Sequence, residues 1–281
     1  MLTFPNAKIN LGLNIVEKRS DGFHNIESVF YPIGWCDALE IIKTTNFSFS
    51  NTGLPIPGNL KNNLIIKAFD LLGELITLQN EKSAKIKNNK SQIAIHLHKV
   101  LPMGAGIGGG SSDGAFALKM LNEIFELELN TKQLQDFASQ LGSDCPFFIE
   151  NSPKFCFEKG DKFEDIELSL KGKNMLLINP QNHISTVEAY SGVSPKKPEI
   201  SILEIIKSPI IEWKGILKND FEIKIIENHP KIGQIKSLLY DLGASYASMT
   251  GSGSTVFGIF NQEVEHVEKH FEGCVCWQGK A

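Results

Sequence analysis

No part of this 281-residue chain reaches about 18 uninterrupted apolar residues, the length that a membrane-crossing helix requires. The first segment, MLTFPNAKINLGLNIV, breaks its apolar run with Asn6, Lys8, Asn10 and Asn14, so it is neither a signal peptide nor a span, and a cytoplasmic protein is expected. Cysteine is sparse and odd in number. Cys36, Cys145, Cys156, Cys274 and Cys276 sit in apolar stretches, and the C-x-C of the last two lacks the histidine cluster that would complete a zinc site. Buried free thiols are expected. Positive charge is not in excess: 28 lysines and arginines face 32 aspartates and glutamates, and a net charge of -4 argues against a nucleic-acid surface. Internal repeats are also lacking. At 42% apolar and 21% charged, the composition is globular, and the length suffices for one large domain or two smaller ones.

Glycine, by contrast, is concentrated. Residues 102 to 115 read PMGAGIGGGSSDGA, with five glycines in the seven positions from Gly104 to Gly110. Such a run is kept where φ must be positive or where a ligand touches the main chain. Upstream, Gln92 to Val100 is β-rich and stopped by Pro102; downstream, Phe116, Met120, Leu121, Ile124 and Phe125 recur at helical spacing, with Ser111, Ser112 or Asp113 as N-cap. Strand, glycine loop and helix N-terminus together form an anion site. A Walker A loop is excluded, because no lysine precedes the final serines. Gly104, Gly106 and Gly109 satisfy G-x-G-x-x-G, but Glu126 and Glu128 fall at the helix end with no second strand to carry a ribose-binding carboxylate. A glycine-rich turn without a ligand is the remaining plain alternative.

Along the chain, Ile9, Leu11, Leu13 and Ile15 alternate with Lys8, Asn10, Gly12 and Asn14, then Ser20-Asp21-Gly22 turns the chain into a strand from His24 to Ile33. Lys8 and Asn10 therefore share a face. Asn63 to Leu75 reads as a helix, Gln79 to Ser91 as an exposed polar insert, and Thr131 to Leu141 as a helix capped by Thr131 and closed at Gly142. Asn151-Ser152-Pro153 suits a domain boundary. Beyond it come Asn174 to Ile178 as strand, helical stretches around 200 to 240, strands Ser245 to Thr250 and Thr255 to Phe260, a helix from Gln262 to about Phe271 and a last strand near Val275. The mixture indicates an α+β sandwich.

Four short strings stand out, and each has an ordinary reading by itself. Pro5 to Leu11 suits a strand with a solvated polar face, Asp21-Gly22-Phe23-His24 a hairpin turn, Ser143-Asp144-Cys145-Pro146 a local cap, and Thr250 to Thr255 a tight turn. Their order around the glycine loop is more specific. PxAKINLxL, DGFH, PxGAGxGGGSSD, GSDCPFF and MTGSGS resemble, over the whole chain, the 4-diphosphocytidyl-2-C-methyl-D-erythritol kinases of the GHMP kinase superfamily.

That resemblance implies a two-domain α+β fold, with a ribosomal protein S5 domain 2-like N-terminal domain over 1–153 and a ferredoxin-like C-terminal domain over 154–281. It implies an enzyme of isoprenoid precursor synthesis that phosphorylates the 2-hydroxyl of its cytidyl-linked substrate with ATP and Mg²⁺. Asp144 would be the general base, with Lys8 beside it. Pro102, Met103, Gly104, Ala105, Gly106, Ile107, Gly108, Gly109, Gly110, Ser111 and Ser112 would wrap the ATP phosphates, Ser111 or Ser112 lying near Mg²⁺, with Asn63 and Lys99 near the adenine. Asn10, Phe23, His24, Thr186 and Tyr190 would hold the second substrate, Phe23 and His24 on one side of the cytosine and Tyr190 on the other, and Gly251, Ser252 and Gly253 would close the region. The partners are small molecules, with no nucleic acid and no membrane, in a monomer or weak homodimer. Gly114 departs from the alanine common in the family. Rival readings are a GHMP kinase for another small alcohol, a nicotinamide-dependent oxidoreductase and a nucleotide-binding module without turnover.

Overall fold

A computed structural model describes residues 1–82 and 93–281. The expected polar insert falls largely outside these residues. The chain forms two compact units, each assembled from separate stretches.

The first unit takes residues 1–7, 36–103 and 109–151. Its sheet has the order Leu2–Thr3, Ala38–Lys43, Ile93–Lys99, Ser48–Gly53. Ile93–Lys99 runs antiparallel to Ala38–Lys43 and parallel to Ser48–Gly53. Its alternation places Ile93, Ile95, Leu97 and Lys99 on the buried face, as a period of two demands. Gly109–Ile124 packs on Ala38–Lys43, Leu64–Leu71, Thr131–Leu141 and Phe147–Glu150 pack on Gly109–Ile124, and Gly73–Lys82 follows Leu64–Leu71. The helix expected from Asn63 to Leu75 is thus two helices, the second opening at Gly73, a poor residue for a helix interior. Asn63 caps the first, its side chain accepting from the Ile65 N–H at 2.9 Å. The cap of Thr131–Leu141 is Asn130 rather than Thr131. Asn130 and Gln133 each accept the other's backbone N–H in a capping box.

The second unit takes residues 8–35, 104–108 and 152–281. One sheet runs Asn6–Lys18, His24–Cys36, Lys154–Phe157, Lys162–Asp165; the other runs Tyr246–Met249, Val256–Phe260, Asn174–Asn179, Val275–Lys280. Every residue of Asn174–Asn179 is buried; the strand is flanked on both sides, and Pro230–Asp241 packs on Tyr246–Met249 and Val256–Phe260 of the same sheet. Leu176, Ile178, Phe221, Ile225, Ile235 and Leu239 are part of the resulting core. The helix expected from Gln262 shrinks to Val267–His270, since His266 adopts a left-handed φ of 54° that a helix cannot continue through. None of the five cysteines is in a disulfide, and only Cys145 and Cys156 are buried.

The chain leaves the first unit for the last time at Asn151, beside the expected boundary at 153, but residues 8–35 and 104–108 group with the later half. Among the described residues no helix is long and apolar enough to cross a membrane.

Gly114 has a packing reason. A Cβ there would lie 2.9 Å from Leu64 Cβ, where Gly109–Ile124 meets Leu64–Leu71. Gly114→Ala gains about 1 kcal/mol in helix propensity and loses about 1–3 kcal/mol to overpacking against an atom next to the main chain. It should lower the thermal midpoint; an unchanged or raised midpoint would show that the Leu64 backbone gives way.

Candidate active site

Within the second unit, Lys8 and Asn10 do share a face, and that face is not solvated: Lys8 is 3% and Asn10 1% exposed. The Lys8 ammonium donates to Asn10 Oδ1 at 2.6 Å and lies 4.3 Å from the centre of the Phe30 ring. Asn10 Nδ2 donates to Ser28 Oγ at 2.8 Å, and the Ser28 hydroxyl donates to the Gly12 carbonyl at 2.6 Å. These bonds fix which way the amide points.

The first half of the glycine loop, Gly104–Gly108, is tied to the main chain of the same strand and to the segment at Thr255. Lys8 N–H donates to the Ile107 carbonyl at 2.9 Å, and Thr255 N–H to the Ala105 carbonyl at 3.3 Å. Gly106 has φ of +77°, and a Cβ on it would stand 2.2 Å from the Thr250 carbonyl oxygen, so no side chain fits there. Gly251 is tight as well, though less so: its Cβ would lie 3.0 Å from the Gly106 oxygen. Ser252 is half-buried and Gly253 buried in the same turn.

Two residues that hold this turn are absent from the sequence expectations. Asn219 Nδ2 donates to the Met249 and Gly251 carbonyls at 2.8 and 2.9 Å, while its Oδ1 accepts from Phe221 N–H. Glu222 accepts from Met249 N–H at 2.6 Å and from the Ser248 hydroxyl at 3.0 Å, and its other oxygen pairs with Lys236. In the sequence both look like ordinary polar residues around a helix start, because their partners lie about 30 positions on.

At the expected cytosine end, Phe23 is 62% exposed, with the Lys159 ammonium 5.6 Å from its ring centre. His24 and Tyr190 stack on each other, centroids 4.8 Å apart and 25° from parallel. A ring held between them would need roughly twice that separation. The structure therefore differs from the expectation of Tyr190 on the far side of a base from His24. Thr186 is exposed, at the start of the helix Thr186–Ser191.

The first unit carries the remaining residues. The helix starts at Gly109, before all three candidate caps, so Ser111 and Ser112 lie inside its first turn and Asp113 just beyond it. Ser111 is half-buried and hydrogen-bonds the Cys145 thiol; Ser112 Oγ is buried without a hydrogen-bond partner. Burial pushes the Cys145 thiol up to about 12, which removes it as a nucleophile. Asp144 is half-buried in the turn after Thr131–Leu141, where Cys145 N–H donates to the Gly142 carbonyl.

A cavity of about 330 Å³ in this unit is lined by Leu60, Asn63, Lys99, Met103, Gly110 and Asp113, among others. Lys99, 1% exposed, donates to Asp37 at 2.5 Å and to Asp113 at 2.6 Å. The second oxygen of Asp37 accepts from Val100 and Leu101 N–H. Burial raises the Asp113 carboxyl to about 7, against the pull of the Lys99 ammonium and with a further push from Asp37. A larger cavity of about 560 Å³, lined by Val193, Lys196, Ile200, Ile216 and Lys218, contains none of the expected site residues.

The chain as a whole is similar to known proteins. The family model described as GHMP kinases N terminal domain matches residues 63–151, and that described as GHMP kinases C terminal matches 207–272. A 4-diphosphocytidyl-2-C-methyl-D-erythritol kinase of Parabacteroides distasonis is 46% identical over 281 residues, 100% of this chain and 99% of its own. Its counterpart in Bacteroides thetaiotaomicron is 51% identical over 267 residues, 94% of this chain and 93% of its own. The chain belongs to this kinase family, a branch of the GHMP kinases. A crystal structure of a 4-(cytidine 5'-diphospho)-2C-methyl-D-erythritol kinase matches with a TM-score of 0.79 at 25% identity, covering 99% of this chain and 98% of the other. The Methanococcus jannaschii mevalonate kinase, TM-score 0.63 at 18% identity over 99% of this chain and 97% of its own, shares the fold. The α+β expectation therefore holds.

The native Asp113 carboxyl, near 7, lies above its ordinary value of 3.8. Between those values the folded protein keeps a proton that the unfolded chain has released, so this residue's contribution to stability falls as pH rises toward 7 and is constant above it. Asp113→Asn should reduce the drop in melting temperature between pH 5 and pH 8; an unaltered drop would locate the pH dependence elsewhere.

Proposed function

We propose that this kinase transfers the terminal phosphoryl group of ATP to the 2-hydroxyl of 4-diphosphocytidyl-2-C-methyl-D-erythritol, a step in isoprenoid precursor synthesis. The observation that carries the reading is the bond from the Lys8 main-chain N–H to the Ile107 carbonyl, which ties the strand that carries the buried ammonium to the glycine loop. Phosphoryl transfer asks little covalent chemistry of a protein and much alignment, and this loop supplies alignment.

The residues present suit a nucleotide. The loop closes against Thr250 with no room for a Cβ at Gly106, Ser112 Oγ lacks a partner, and the helix from Gly109 directs unsatisfied N–H groups at its N-terminus. Residues Gly104 to Ser112 would hold the phosphates, while Asn63, with its oxygen engaged as a cap, offers Nδ2 to the base in the 330 Å³ cavity. Magnesium, when bound, neutralises charge on phosphate oxygens. Among the described residues no group of three His, Cys, Asp or Glu side chains forms a metal cage, so the ion would rely on phosphate oxygens and on Ser111 or Ser112.

Asp144 accepts the proton of the attacking hydroxyl, and Lys8 stabilises the oxygen as charge develops on it. A general base contributes about 10²- to 10⁴-fold. Asn10 orients Lys8. Phe23, with one face exposed, and the outer surface of the His24–Tyr190 pair receive the pyrimidine.

ADP release from Mg-ATP, measured with a panel of acceptor alcohols, tests the substrate: stimulation by the cytidyl compound alone supports it, and a response to homoserine or mevalonate sinks it. Asp144→Asn and Lys8→Ala should each retain nucleotide binding while kcat falls at least about tenfold; a variant that keeps more refutes the role given to that residue. His24→Ala should raise KM for the alcohol much more than KM for ATP, and equal changes would exclude a contact with the base.

A further inference from the structure

The hydroxyl of Thr250 is used more fully than a turn requires. Thr250 is fully buried, and its Oγ1 accepts from the Asn10 backbone N–H at 3.0 Å. Its single proton faces two acceptors, Asn10 Oδ1 at 3.2 Å and the Gly106 carbonyl at 3.1 Å. One of these is the oxygen that receives the Lys8 ammonium at 2.6 Å; the other is the main chain of the glycine loop. The Thr250 backbone is itself held in place, since its N–H donates to the Thr255 carbonyl and Asn219 bonds the carbonyls of Met249 and Gly251 on either side.

We propose that Thr250 is a positioning residue for Lys8, its hydroxyl linking the Asn10 amide that orients the ammonium to the Gly106 carbonyl of the phosphate loop. The proposal deepens the function above and rests on the reading of Lys8 as the residue that stabilises the reacting oxygen. Removing the hydroxyl leaves the Asn10 N–H without its acceptor and takes away the one proton that Asn10 Oδ1 and the Gly106 carbonyl share, which frees the loop and the ammonium to shift relative to each other. A displacement near 1 Å in an aligned phosphoryl transfer is enough to lower the rate about a hundredfold.

Thr250→Val keeps the shape and removes the hydroxyl; Thr250→Ser keeps the hydroxyl and removes the methyl. Kinetics with ATP and the acceptor alcohol should show kcat about 10- to 100-fold lower for the valine variant, with both KM values within about threefold of wild type, and kcat restored to within about threefold by serine. A valine variant that loses KM and kcat alike, or a serine variant no better than valine, overturns the proposal. In a Lys8→Met background, Thr250→Val should lower kcat by no more than about twofold further, because the two act as a unit. An undiminished effect there means that Thr250 acts on something other than Lys8, and overturns the positioning role alone. A Lys8→Met enzyme with unchanged kcat instead overturns the reading of Lys8 on which the proposal stands. Should the valine variant show no cooperative melt, Thr250→Ala, which leaves a void rather than a misplaced methyl, carries the same comparison.

Discussion

An ammonium withdrawn from water has to be solvated again by the protein or surrender its proton. Lys8, 3% exposed, imposes this requirement on everything around it. Asn10 Oδ1 and the face of Phe30 meet part of it, and each sets a further condition. With its oxygen turned toward Lys8, the Asn10 amide needs an acceptor for its NH₂, which is Ser28 Oγ; the Ser28 proton then needs the Gly12 carbonyl. Asn6–Lys18 must lie beside His24–Cys36 for that relay to close, and the turn at Ser20 to Gly22 allows it. The hairpin is thus selected by the charge it carries as well as by its apolar alternation.

The turn after Tyr246–Met249 obeys a similar logic. Its carbonyls at Met249 and Gly251 both point to one amide, Asn219, and the Met249 N–H points to one carboxylate, Glu222. Aspartate at 219 would offer no hydrogen to either carbonyl, and glutamine at 222 would bring a donor where acceptors are needed. Specific polar side chains therefore fix the backbone of this turn, which is why its glycines can approach Gly106 so closely without collapsing onto it.

Much of this was legible in the sequence, for identifiable reasons. Alternation revealed Asn6–Lys18 and the face shared by Lys8 and Asn10, and glycine density revealed the loop, because both signals are local. The burial of that face was not legible: whether a strand's polar side meets water or another segment depends on residues 104–108 and 250, far along the chain. The same distance hid Asn219 and Glu222. Local competition hid other details, such as the choice of Asn130 over Thr131 as cap and the left-handed His266 that cuts the helix before Phe271 short. The Lys99 triad escaped because Asp37, Lys99 and Asp113 come from three separate elements, and charge in a sequence does not announce its partners.

That triad bears on how a chain with a net charge of -4 can bind polyanions. Lys99 lines the 330 Å³ cavity, yet Asp37 and Asp113 already hold its ammonium, so it adds little positive potential there. Positive potential at the loop then has to come from the main chain, through N–H groups of the glycine run and the N-terminal dipole of Gly109–Ile124. Main-chain donors are fixed in place and add no net charge, so they select for a ligand that fits the loop rather than for anions in general. Such donors work only where side chains leave room, and part of the glycine density from Gly104 to Gly110 has a second cause, since at Gly106 it is the Thr250 carbonyl that excludes a Cβ. Lys8 is buried beside the loop in the second unit, so its charge acts at one point and not as a surface field.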